Sequence, residues 1–139
     1  MRLDEAEARA RLAAHDHGVL CTVHPERGVD AVPVVFAIHP DGFVGVPVDL
    51  VKPKASLQLQ RERNLAADPR ATLLVDHWNR DDWSQLWWVR AKLEWCPDDP
   101  RRADELADLL VARYPQYADR PFANMLVMRI VGITAWSAR

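Results

Sequence analysis

Only five glycines occur in the 139 residues, and none falls in a Gly-x-Gly-x-x-Gly or Walker pattern, so no glycine-rich loop is available to cradle phosphates. Gly-x-Ser-x-Gly and His-Glu-x-x-His are missing too, and Ser56 and Ser84 have no neighbouring histidine to activate them as nucleophiles. Two cysteines, Cys21 and Cys96, stand far apart without a second ligand at metal-like spacing, and read as reduced thiols rather than a disulfide. The five histidines, His15, His17, His24, His39 and His77, are scattered over separate stretches, which speaks against a metal site. Lys plus Arg number 18 against 20 Asp plus Glu, a net charge of −2, so there is no basic excess with which to displace counterions from nucleic acid. No apolar run, including Ala31 to Ile38, approaches the ~20 residues that cross a bilayer. The opening MRLDEAEARARLAA is charged throughout and does not read as a secretion signal, so the expected location is the cytoplasm.

What is present is an ordinary globular composition, 49% apolar and 27% charged, at the length of one domain spanning 1–139. Asp4 before EAEARARLAAHD predicts a short helix over residues 4 to 16. Three runs rich in Val, Ile and Phe follow, separated by Pro25 to Gly28 and by His39-Pro-Asp-Gly42, and read as a three-strand meander. Pro33 lies inside the second run and cannot donate a ladder hydrogen bond, which places it at a strand edge or a bulge. KPKASLQLQRERNLAADP predicts a helix or helical crossover. ATLLVDHW and LWWVRAKLEWC read as the fourth and fifth strands, with Trp88, Arg90, Lys92 and Glu94 on one face. Between them, DHWNRDD gathers carboxylates into a polar turn or a subunit contact. PRRADELADLLVARYP is an amphipathic helix with Leu106, Leu109 and Leu110 on its apolar side, and MLVMRIVGITAWSA is the sixth strand. Six strands with hairpin-length early turns indicate a mainly β, antiparallel barrel with short flanking helices, rather than a βαβ sheet.

One group of side chains could carry binding chemistry. Lys52 and Lys54 flank Pro53, and Arg61, Arg63 and Asn64 follow, with Ser56 near a helix start. Such a set suits phosphate or carboxylate groups, and equally suits a solvated loop and helix face paired with Glu62 and Asp68. The order of the segments adds to this. The run VPVVFAI, then VPVDLVKPK, then RNLAADPRATLLVDHW, then DDWSQLWWVRAKLE resembles the flavin/deazaflavin oxidoreductase superfamily, whose fold is the split β-barrel of pyridoxamine 5′-phosphate oxidase. Within it the chain looks most similar to the coenzyme F420-dependent B group of actinobacteria. The resemblance covers residues 10 to 137, and Leu57-Gln-Leu-Gln60 departs from it where relatives carry a denser basic run.

The resemblance implies a six-stranded split barrel that forms a homodimer, with an elongated cofactor groove between the barrels. It implies that Pro33, Val34, Val35 and Phe36 lie along the tricyclic ring, and that Lys52, Lys54, Ser56, Arg61, Arg63 and Asn64 hold the phosphate and acidic tail. The implied activity is an oxidoreductase that moves a hydride between F420 and a small conjugated substrate, without nucleic acid or membrane as partner. No catalytic acid is assigned; Tyr114, Tyr117 and His77 are the candidates. An FMN-binding oxidase-like protein, a non-catalytic F420-binding protein and a haem-handling relative using His24, His39 or His77 are the alternatives. Of the six tryptophans, Trp87 and Trp88 should point to opposite faces, one filling the barrel and the other meeting a partner subunit or the cofactor.

Overall fold

The computed structural model describes residues 1–50 and 59–139, which form seven strands and three helices. Helix α1 (Glu5–Ala14) starts where Asp4 accepts a hydrogen bond from the Glu7 amide at 2.8 Å, and buries Ala8 and Leu12 against the barrel. Strands β1 (His17–His24) and β2 (Gly28–Val35) form a hairpin, and β3 (Ala37–His39) and β4 (Phe43–Asp49) form a second. Both connecting turns end in a glycine at positive φ, Gly28 and Gly42. After α2 (Gln60–Ala67) come β5 (Arg70–His77), β6 (Trp87–Trp95), α3 (Pro100–Arg113) and β7 (Phe122–Ser137). All pairings are antiparallel, in the order β2-β1-β5-β6-β7-β4-β3.

The strand count is seven, not the expected six, and the first three runs do not form one meander. The second run breaks at Phe36, which turns inward and is fully buried. Its first half pairs with β1 and its second half with β4, so consecutive residues supply the two opposite edges of the sheet. Pro33 accordingly sits on an edge strand, where its missing N–H costs no ladder bond.

Curling of the sheet comes from irregularities in β7. Lys92 pairs with Gly132 but Leu93 pairs with Ile130, so Val131 is an extra residue, and it stands exposed on the outer surface. A second irregularity, opposite Val48 and Asp49, leaves Ala123 unpaired. The interior is filled by alternate residues of the strands, among them Leu20, Val46, Leu73, Val89, Leu126 and Met128, with Phe36 as its largest fully buried side chain.

Helix α3 begins at the Asp99 cap with Pro100 in its first turn, and packs Leu106, Ala107 and Leu110 onto β3, β4 and β7. It can lie close because β4 carries Gly45. A Cβ there would stand 2.8 Å from Leu106 Cβ and 3.0 Å from its Cδ1. Gly45→Ala should therefore over-pack this contact and destabilise the fold by about 1–3 kcal/mol. Urea unfolding checks this as a lower midpoint at unchanged m-value, and a wild-type midpoint would show that α3 yields freely.

Candidate functional site

Helix α2 positions most of the described basic candidates. Leu59 precedes it, and the Leu59 amide donates to Glu62 Oε1 at 2.9 Å while Asn124 Nδ2 donates to Glu62 Oε2 at 3.0 Å. From the next turn Asn64 reaches into the body of the protein, where it is fully buried. Its amide nitrogen donates to Thr22 Oγ1 at 3.0 Å and to Asp30 Oδ2 at 2.8 Å, and its oxygen accepts from Gln60 Nε2 at 2.9 Å. Asp30 is held from the other side by two donors of Arg27, at 3.0 and 2.9 Å. The Arg27 bonds first, and the Asn64 bond second, hold the Asp30 carboxyl below its ordinary pKa. A depressed carboxylate contributes stability that is present above its unfolded value of about 4 and is lost as pH falls through the folded one.

Beside this bracket lies a hollow of about 360 Å³ whose walls include Thr22, Arg27, Asp30, Leu59, Gln60 and Arg61. Arg61 Nε is buried without a hydrogen-bond partner among the described residues. Burial lowers the Arg61 pKa, opposed by Glu62 and by Asp49. Asp49, at the end of β4, accepts from the buried Tyr117 hydroxyl at 2.7 Å, and burial followed by this bond pushes the Tyr117 pKa well above its ordinary value. An orphaned guanidinium N–H is costly unless something accepts from it, so Arg61 is equipped to meet an anion.

The other expected site residues distribute unevenly. Lys52, Lys54 and Ser56 lie outside the described residues. Arg63 is exposed and donates to Gln60 Oε1 at 2.8 Å. On β2 and the crossing that follows, Val34 and Phe36 are buried in the core, whereas Pro33 is exposed and Val35 half-buried against the α3 cluster. A ligand lying along this strand would thus meet the side chains of Pro33 and Val35 but not that of Phe36. No spacing motif links Asp30, Thr22 and Asp49 to the basic residues of α2, and Tyr117 offers only a candidate acid; the folded arrangement alone relates them to Asn64 and Arg61.

Among the candidate acids, the Tyr114 hydroxyl donates to the Asp16 carbonyl, Tyr117 is engaged with Asp49, and His77 ends β5, at the opposite end of that strand from α2, near Gln85. His24 Nδ1 accepts from the Glu26 and Arg27 amides, and His39 Nε2 sits 2.6 Å from Glu105 Oε2, so both are occupied within the chain. Among the described residues no three His, Cys, Asp or Glu side chains converge as metal ligands, and no helix is long and apolar enough to cross a membrane. Cys21 and Cys96 are free thiols.

No family model matches the chain, and no curated protein matches it. Solved structures do. A conserved hypothetical protein from Mycobacterium tuberculosis superposes with a TM-score of 0.74 at 21% identity, over 99% of this chain and 86% of that one. A FAD-binding protein from Mesorhizobium loti gives 0.69 at 16% identity, over 97% and 93%. HutZ, the haem storage protein from Vibrio cholerae, gives 0.65 at 14% identity, over 96% and 94%. The fold is the split barrel.

In this split barrel Asn64 is the joint between α2 and the β1–β2 hairpin. Asn64→Ala should cost about 2–3 kcal/mol, because the Thr22 hydroxyl and the Asp30 carboxylate lose a buried donor. Asn64→Asp keeps the shape but sets a second carboxylate on Asp30. It should destabilise at neutral pH and recover stability on acidification as the pair takes up a shared proton. Thermal unfolding across pH 4–8 checks both, and a flat profile for Asn64→Asp would deny the contact.

Proposed function

We propose that the chain is an oxidoreductase that binds coenzyme F420 in a groove of a homodimer and uses it to reduce a small conjugated substrate. The observation that carries this reading is Arg61 Nε, buried beside the hollow at α2 without a partner among the described residues, a short way along the sequence from Lys52, Lys54 and Ser56. The split barrel and the motif resemblance over residues 10 to 137 supply the context. At about 360 Å³ the hollow suits the anionic end of such a cofactor rather than the whole of it. The donor set fits that end: a half-buried guanidinium, the Gln60 side chain, and the first amides of α2.

When bound, the deazaflavin supplies the hydride. The chain's task is then to hold and orient it. Arg61 anchors the tail with charge-assisted donors, while the Asn64 bracket fixes α2 so that the anchor is preset. Pro33 and Val35 offer a rigid apolar strand for the ring, and Pro33 has no backbone N–H of its own to satisfy. A second subunit would cover the outer sheet face, where Leu74 is exposed and Val29 and Val131 stand exposed around a hollow of about 350 Å³. A flavin in place of F420 is the second reading, favoured by the FAD-binding protein among the similar structures, and FMN is the form the motif resemblance suggests.

Equilibrium binding of apo-protein to F420 and to FMN, followed by cofactor fluorescence, separates these readings. Tight F420 and weak FMN binding is the expected result, and the reverse order moves the protein to the flavin users. Arg61→Ala should weaken cofactor binding by about tenfold or more, the loss of one charge-assisted contact. Unchanged affinity would remove the anchor from α2, and a monomer in sedimentation at micromolar concentration would remove the shared groove.

A further inference from the structure

Away from α2, at the start of β6, four side chains from three other parts of the chain gather around the Trp87 indole. The Arg11 guanidinium of α1 lies 5.2 Å above its ring. The His77 ring, at the end of β5, stacks on it at 26° with centroids 6.2 Å apart, and His15 meets it edge-on at 5.4 Å. Arg139 closes the rim, its Nε donating to the Ser84 carbonyl at 3.1 Å. The cavity so formed measures about 420 Å³ and shares no lining residue with the hollow at α2.

The side chains that line this cavity are basic, aromatic or neutral: Arg11, Arg139, His77, Trp87, Gln85 and two serines, with no side-chain carboxylate among them. Two acids border the cavity without lining it: Glu7 takes Arg11 Nε at 2.9 Å, and Asp82 accepts from the lining Ser84 and Gln85 and attracts Arg139. Each guanidinium has five N–H donors, so one bond apiece leaves both with donors to spare. A planar indole flanked by an imidazole receives a flat ring, and a guanidinium fork receives a carboxylate in the ring's own plane. The volume exceeds what an inorganic ion needs and lies in the range that encloses small organic ligands.

We propose that this cavity is a second ligand site, separate from the one at α2, and that it takes a small aromatic carboxylate. Arg11 and Arg139 bind the carboxylate, and Trp87 and His77 form the surface for the ring. Arg11 is the more constrained of the two cations, because its guanidinium is held over Trp87 and its Nε is already oriented by Glu7.

The test is a titration of the full chain with benzoate at constant ionic strength, read by the indole Nε1–H resonance of Trp87. That resonance is assigned by its disappearance in Trp87→Phe. Cyclohexanecarboxylate and inorganic phosphate serve as comparison probes, the first lacking a flat ring and the second lacking any ring. Saturable benzoate binding, weakened about tenfold by Arg11→Gln and unchanged by Arg61→Ala, is the expected result. Cyclohexanecarboxylate and phosphate should bind at least several-fold more weakly. A shift that does not saturate, equal affinity for all three probes, or undiminished affinity in Arg11→Gln would overturn the site. Loss of benzoate binding in Arg61→Ala would do the same by moving the ligand to α2. Because the titration contains no F420 or FMN, its result is independent of the cofactor reading.

Discussion

The architecture depends on one buried ring. A sheet curled this far must bring its two edge strands near each other, and here both edges come from a single stretch of chain that crosses between them at Phe36. Burying that aromatic ring gives the crossing its fixed position, because a side chain of this size contributes roughly 1.5–3 kcal/mol when withdrawn from water. With Phe36 inside, Val35 and Ala37 are left facing α3, and the helix seals the interval between the hairpins. The packing of α3, the Gly45 contact and the position of β4 all follow from where that ring sits.

On this frame the α2 region behaves as a preset part. Asn64 binds α2 to β1 and β2 through neutral and charged acceptors at once, and Arg27 completes the shell around Asp30. The result is a helix whose first turn is held at a defined distance from the hairpin while Arg61 Nε has no acceptor among the described residues. Neighbours on one helix thus differ: the Asn64 side chain is fully engaged with the fold, whereas Arg61 Nε is buried without a partner among the described residues.

Much of this could be read from the chain. The helix cap at Asp4, the helix that starts at Pro100, the turns ending in Gly28 and Gly42, the alternation along β5 and β6, and the edge position of Pro33 follow from local rules that act within a few residues. The break at Phe36 could not be read, since an apolar residue within an apolar run looks like any other, and only competition between two distant partners, β1 and β4, divides the run. Asn64 shows the same limit at the level of the site. Its place next to Arg61 and Arg63 marks it as a polar ligand contact, but its partners Thr22 and Asp30 lie 42 and 34 residues away, beyond any spacing rule. The Trp87 cluster was legible in part. Opposite faces for Trp87 and Trp88 follow from strand geometry, and Trp87 packs against the core while Trp88 lies outward under Arg90. That Arg11, His15 and His77 would meet around the inner ring requires the third dimension.

The extra residue at Val131 has a consequence for how β7 can move. Upstream of it the inward positions are Leu126, Met128 and Ile130; downstream they are Ile133, Ala135 and Ser137. The strand thus changes phase from even to odd numbers at one point, and it is paired with β4 on one side of that point and mainly with β6 on the other. Sliding by one residue in either direction would turn both inward sets outward, and sliding by two would carry the phase change away from its place opposite Lys92 and Leu93. Val131 works as a detent: the longest strand of the barrel has one seat, and the surfaces it joins keep a common alignment.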